Sequence, residues 1–325
     1  MLALAAASPI LGVPPRPERD TAATALGTSH SAQPGPVGLA AHAKSIDKSC
    51  GYFSSKKDCP LDYDLEALNA SARASADSAE TLAAAHERAR LACGDDHASR
   101  VQSSGGWCYD KHRSELIRAG NNSNADFLLP EFHVPPDPIV VRVLSEQYEK
   151  SPFTMADFGA GVGQLGRALK YRFPGMKYSG YDAGGNVEEI TNGFVKFADL
   201  TIDLDLPKVD WVYTSEVGEH VPHNLESTFI RNIHATNCRG VILSWAVPGQ
   251  GGHSHINCHS SEYLIDLFTQ LGYRVNWGMR NRLRATDEES FQVRGDNDHG
   301  GGAWWLHKSF LVFERITPPE GCSTR

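Results

Sequence analysis

The segment that most restricts how this chain can fold is Asp157-Phe-Gly159-Ala-Gly161-Val-Gly163-Gln-Leu-Gly166, a glycine-rich loop set between a β-prone run and a helix-prone one. Glycines at this spacing let the backbone turn tightly and approach a ligand where any Cβ would clash. The flanking sequence repeats the same alternation. β-prone runs fall at residues 153–158, 177–181, 195–197, 209–214 and 240–245, with two late ones at 273–277 and 309–316. Helical spacing fills 164–173, 225–235 and 261–271. Seven strands interleaved with helices predict an α/β fold, a doubly wound, mostly parallel sheet with helices on both faces.

The rest of the chain divides by composition. Residues 1–45 are dominated by Ala, Pro and Gly and predict a flexible leader. Its first twelve residues are apolar and of signal-peptide length, but they lack the preceding basic residues. Residues 46–135 are expected to form a mainly helical accessory region, because 61–93 is rich in Ala, Leu, Glu and Arg and free of Pro and Gly. A Pro-rich stretch at 130–138 then opens the third unit, 136–325. Four of the seven cysteines, Cys50, Cys59, Cys93 and Cys108, cluster in the accessory region and allow two disulfides in three pairings, or four free thiols. With the glycosylation acceptors at Asn69 and Asn121, they favour a secretory-lumen or extracellular setting over the cytoplasm. No run of 18 apolar residues provides a membrane span.

Acidic residues distinguish the ligands that the loop could serve. Gly161-x-Gly163-x-x-Gly166 matches a dinucleotide fingerprint, so a nicotinamide-dependent oxidoreductase is one reading. Asp157, at the strand end two residues before the first glycine, opposes it: a carboxylate there repels a pyrophosphate and suits an ammonium beside a sulfonium. Asp182 ends the second strand, where a carboxylate can take both hydroxyls of a ribose. Asp199 follows the third, where it can accept from an adenine amino group. Each acid alone could be a helix cap or a solvated loop residue. Three at successive strand ends beside one glycine loop form a pattern.

On these residues the segment from about 150 to 316 resembles the class I S-adenosylmethionine-dependent methyltransferases. The resemblance implies a Rossmann-like domain with S-adenosyl-L-methionine held by Asp157, Gly159, Gly161, Gly163, Asp182 and Asp199, and with Glu216 at the cofactor's edge. After the fourth strand, Glu216, Glu219 and His220 stand at i, i+3 and i+4, so one helical turn would place them on one face. Two carboxylates and an imidazole suit half of a divalent-cation site, and His255, with His253 close by, offers a further ligand after the fifth strand. The pattern is similar to the metal site of small-RNA 3′-terminal ribose methyltransferases. It is similar also to a string in ubiquinone-pathway O-methyltransferases, and in many members of the superfamily such a string only shapes the pocket.

The reading is therefore O-methylation of a hydroxyl on a small molecule or sugar, assisted by Mg²⁺ or Mn²⁺ on Glu216, Glu219, His220 and His255. Glu219 would serve the chemistry through the metal, and without a metal His255 or His253 is the candidate base. A net charge of −8 (31 Lys+Arg against 39 Asp+Glu), with no basic run carrying interleaved aromatics, disfavours nucleic acid as the acceptor. Trp107, Tyr109, Trp304 and Trp305 are aromatic candidates for stacking on a sugar face, or for ordinary packing. A non-catalytic cofactor-binding protein is the remaining alternative.

Overall fold

The computed structural model describes residues 77–93, 108–110, 114–117, 127–130, 133–252, 254–284 and 305–322. The leader, Cys50, Cys59, Asn69, Asn121, Trp107, Trp304 and His253 lie outside the described residues. Nine strands are described. β1 (Ser114–Ile117) and β2 (Phe127–Pro130) form an antiparallel pair. The other seven form one sheet: β3 (Met155–Phe158), β4 (Tyr178–Asp182), β5 (Val195–Phe197), β6 (Val209–Ser215), β7 (Asn237–Ser244), β8 (Tyr273–Val275) and β9 (Leu311–Arg315). Their order is β5-β4-β3-β6-β7-β9-β8, with only β9 antiparallel to its neighbours. The expected seven-stranded, mostly parallel sheet is thus present, and all seven predicted strands are found within a few residues of their expected bounds.

Side chains alternate across the sheet as the two-residue strand period requires. Val241 and Leu243 of β7, with Leu311 and Phe313 of β9, pack on one face against α5 (Glu226–Thr236) and α6 (Ser261–Gln270). Ile242 and Val312 pack on the other, against α2 (Pro138–Lys150), α3 (Gln164–Arg172) and α7 (Trp277–Arg284), while the short α4 (Val187–Thr191) joins β4 to β5. Helices α2 and α7 were not anticipated. The first is set by its start: Pro138 occupies the first turn, and the Asp137 carboxylate accepts from the amides of Ile139 and Val140 at 3.0 and 2.9 Å. A Pro-rich stretch read only as a boundary is therefore also a helix start.

In the accessory region the described part holds a helix, α1 (Asp77–Cys93), and also the β1–β2 pair, which was not expected. Ala85 and Ala89, one turn apart, form the buried face of α1. Small residues bring the helix close enough that a Cβ on Gly185, just after β4, would lie 2.3 Å from the Ala89 carbonyl oxygen. His86 stacks on Phe197 of β5 with ring centroids 4.2 Å apart. A disulfide joins Cys93, the last residue of α1, to Cys108, and a second, unanticipated one ties Cys238 in β7 to Cys322 in the C-terminal tail. No described helix is long and apolar enough to cross a membrane.

Candidate active site

The chain crosses to opposite sides of the sheet after β3 and after β6, so the carboxyl ends of these neighbouring strands splay their loops apart. A cavity of about 790 Å³ opens there. The glycine loop forms one wall, with Gly159 and Gly161 lining it at φ +73° and +57°. A Cβ on Gly161 would meet Gln164 and His133 at 3.0–3.1 Å, so only glycine fits this turn without strain. Gly163 does not line the cavity. Its Cβ position backs onto the Phe194 ring at 2.6 Å, which makes it a packing residue.

Asp157 lines the cavity and is almost wholly buried, with Oδ2 accepting a hydrogen bond from the Tyr178 hydroxyl at 2.7 Å. Burial pushes its carboxyl up to about 7. The Tyr178 bond opposes that rise and the Asp182 charge adds to it. Asp182 also lines the cavity, but protein donors already engage it. Oδ1 accepts from the Tyr109 hydroxyl at 2.7 Å and the Gly184 amide at 2.9 Å, and Oδ2 accepts from the Gly161 amide at 2.9 Å. Burial raises its pKa, and these bonds resist the rise. Asp199 closes a turn, with Oδ1 accepting from the amide and hydroxyl of Thr201 at 3.0 and 2.6 Å; Leu200 and Thr201 line the cavity, and Asp199 does not.

The opposite wall carries the acid and histidine cluster. The single helical turn expected over Glu216–His220 does not form, because Glu216 is left-handed at φ +55° and only Gly218–His220 makes a 3₁₀ turn. Glu216 is fixed instead by Gln250 Nε2 on Oε2 at 3.1 Å and the Ser309 hydroxyl on Oε1 at 3.3 Å. Glu219, His220 and His255 nevertheless converge, each offering a ligand atom within 4.8 Å of the others. Glu219 is fully buried and neither carboxylate oxygen has a hydrogen-bond partner. Burial first, and the nearby Glu216 charge second, drive its pKa well up. Nδ1 of His220 lies 3.3 Å from the Ser254 carbonyl and Nδ1 of His255 lies 3.2 Å from that of Gln250. A ring that donates through Nδ1 leaves the Nε2 lone pair available, the tautomer a metal ligand or a base requires.

The loop that brings His255 here is latched from behind. The amides of Ile256 and Asn257 donate to the Glu219 carbonyl at 2.9 and 3.0 Å. Deeper in, Glu226 accepts from Asn257 Nδ2 at 2.8 Å, His259 Nε2 at 2.7 Å and the Tyr263 hydroxyl at 2.6 Å. Burial alone would raise the Glu226 carboxyl, but the bonds from His223 and His259 and the His259 charge hold it below the usual range. His223, Glu226 and His259 also satisfy the geometry for holding a cation, yet the Glu226 oxygens are already saturated, so this group works as an internal anchor.

Sequence reasoning missed Tyr178, Gln250, Ser309 and the Glu226 group, whose partners lie 21 to 93 residues away in the chain. Tyr109 was a candidate for stacking on a sugar face or for ordinary packing. It is 2% exposed and bonded to Asp182, and only its place next to Cys108 could have signalled that it is pinned. Trp305 is half-buried at the cavity rim.

No family model and no curated protein matches the chain. Among solved structures, the magnesium protoporphyrin IX methyltransferase of Synechocystis, with bound SAH, is 15% identical, with 54% of this chain and 82% of that one covered at a TM-score of 0.39. The methyltransferase domain of a bacterial Hen1 is 14% identical, with 55% and 97% covered at 0.39. The [4+2]-cyclase SpnF is 14% identical, with 57% and 98% covered at 0.36.

Proposed function

We propose that this chain is a class I S-adenosylmethionine-dependent methyltransferase acting on a hydroxyl of a small molecule or glycan, with a divalent cation at its acceptor side. The observation that carries the reading is Asp157, a buried carboxylate that lines a cavity walled by the glycine loop, its carboxyl pushed up to about 7 by burial. A pyrophosphate placed against Gly159 and Gly161 would face this acid at close range, which disfavours a dinucleotide. An ammonium would pair with it. In this reading Asp182 would meet the ribose, and Leu200 and Thr201, which also line the cavity, would meet the adenine. Asp199 orders the turn that carries them.

S-adenosyl-L-methionine, when bound, supplies a methyl group already activated on a sulfonium. The protein's task is then to hold the acceptor in line and manage its proton. Glu219, His220 and His255 have the chemistry to hold a cation: the buried, unpartnered Glu219 carboxylate is costly unless a cation or a proton neutralises it. Glu216, the second carboxylate nearby, is not one of the converging groups, and its oxygens already accept from Gln250 and Ser309. Two imidazoles with carboxylates favour Mn²⁺, while abundance favours Mg²⁺; either supplies a lowered pKa for a coordinated hydroxyl. His255 Nε2, 4.0 Å from Glu219 Oε1, is the proton acceptor if no metal serves. The two disulfides support an oxidising compartment, the secretory lumen or the outside of the cell.

Calorimetric titration of the protein with S-adenosylhomocysteine and with reduced nicotinamide dinucleotide tests this reading. Saturable binding of the first and none of the second is expected. The reverse result would establish the oxidoreductase instead.

A further inference from the structure

Asp182 does not have enough free acceptor positions for the task its place in the fold sets it. A carboxylate offers about four lone-pair positions on two oxygens. Oδ1 receives two donors, the Tyr109 hydroxyl and the Gly184 amide, and Oδ2 receives one, the Gly161 amide. About one position remains, on Oδ2. A ribose presents two vicinal hydroxyls, each with a proton to place, and the second would be left without an acceptor in a buried site.

Tyr109 answers that shortage. Its hydroxyl spends its single proton on Asp182 Oδ1 and keeps its oxygen lone pairs, and the residue lines the same cavity. A hydroxyl that donates to a carboxylate becomes a better acceptor in turn, because hydrogen-bond chains polarise one another. The phenol is set rigidly. Its amide donates to Asn186 Oδ1 at 2.9 Å and its carbonyl accepts from Asn186 Nδ2 at 2.8 Å, so the backbone is clamped on both sides. The residue before it, Cys108, is bonded to Cys93 at the end of α1, and α1 lies hard against Gly185 in the loop after β4. The helix, the disulfide and the tyrosine thus form one connected support running from the outer face of the domain to the Asp182 carboxylate.

We infer that Tyr109 is a cofactor-binding residue, reading the ribose diol jointly with Asp182, and that the Cys93–Cys108 disulfide holds it there, so cofactor affinity depends on that bond being closed. The inference rests on the reading of the cavity as an adenosylmethionine site. It implies that a dithiol weakens binding: two electrons and two protons pass to the disulfide, giving two thiols, while the dithiol closes to its own disulfide. The accessory region then belongs to the cofactor site and is not an independent appendage.

The test is calorimetry on the full chain with S-adenosylhomocysteine and its 2′-deoxy and 3′-deoxy analogues. Tyr109→Phe, which removes only the hydroxyl, should weaken the parent ligand about tenfold, and for one of the two analogues it should cost nothing further, because the lost partner is already missing. Cys93→Ser with Cys108→Ser, or dithiothreitol on the wild type, should produce a loss of at least that size. Cys238→Ser with Cys322→Ser, which opens the other disulfide, should leave affinity unchanged. Wild-type affinity in Tyr109→Phe overturns the inference, and tighter binding overturns it in favour of a tyrosine that occupies the ribose's place. If the double serine variant fails to fold, the phenylalanine variant still decides the role of Tyr109, and dithiothreitol decides that of the disulfide. A wild-type protein that binds no S-adenosylhomocysteine refutes the proposed function itself, a result separate from equal binding by wild type and variant.

Discussion

Lowering the pH from 7 to 5 should weaken S-adenosylhomocysteine binding about fiftyfold through Asp157 alone. Only the ionised carboxylate pairs with the ligand's ammonium, so the apparent dissociation constant scales as one plus ten raised to the difference between the carboxyl pKa and the pH. With that pKa pushed up to about 7, the factor is about 2 at pH 7 and about 100 at pH 5. The stability effect has the opposite sense. An acid whose folded pKa is raised contributes stability that is fully present below its ordinary value of 3.8 and is lost as the pH climbs toward about 7. That loss amounts to about 4 kcal/mol for a shift of this size, and ligand binding recovers part of it. Calorimetry from pH 5 to 7, in buffers of different ionisation enthalpy, measures both the affinity and the proton released on binding. Asp157→Asn is the comparison that isolates the carboxylate: its affinity should be weak at pH 7 and nearly flat below. A wild-type profile that is flat, or one that Asp157→Asn reproduces, would show that the carboxylate does not meet the cation.

Asp182→Ala should weaken S-adenosylhomocysteine by about 1.5–3 kcal/mol, the cost of losing hydrogen bonds to a charged group, with calorimetry as the check. Gly161→Val should abolish detectable binding, since a β-branched residue is strained at φ +57° and its side chain enters the space beside Gln164 and His133; circular dichroism separates this from misfolding. Chelation should suppress turnover without displacing S-adenosylhomocysteine, and Glu219→Ala should remove the thermal shift that Mn²⁺ gives the wild type. An equal Mn²⁺ shift in both proteins would exclude Glu219 as a ligand. Glu226→Ala should cost about 3–5 kcal/mol in denaturant unfolding, because it strands the buried donors of Asn257, His259 and Tyr263.

The sheet was legible because its signals are local. Val241-Ile-Leu243 and Leu311-Val-Phe313 announce strands through their own residues, and the glycine loop marks the join between β3 and α3 within ten positions. The same locality explains what was legible in the site: Asp157, Asp182 and Glu219 could be picked out because each stands at or shortly past the carboxyl end of a strand. The geometry around them was not. Glu216 and Glu219 were placed on one helical face from their spacing, and that failed because a left-handed residue at Glu216 redirects the chain before the turn begins. Tyr109 reaches Asp182 across 73 residues, a pairing that no periodicity encodes.

The two clusters behind the cavity are one construction. Residues 219–226 and 255–259 run past each other, and at one end their side chains are left open while at the other they are saturated. Glu226 has a donor on each oxygen and stays ionised; Glu219, seven residues earlier, has none and is driven toward neutrality by the same burial. Since the two acids share a low-dielectric surrounding, the difference comes from partners and from the Glu216 charge beside Glu219. Asn257 joins the ends: its side chain binds Glu226 and its amide binds the Glu219 carbonyl, while its own carbonyl accepts from Trp245 Nε1 at 2.6 Å. The saturated end thereby fixes the loop on which His255 stands, two residues before Asn257. Rigid support of this kind is what lets a fully buried acid remain unpartnered just behind the cavity wall that His220 and His255 line, and an unpartnered acid beside two imidazoles is an arrangement suited to receiving a cation.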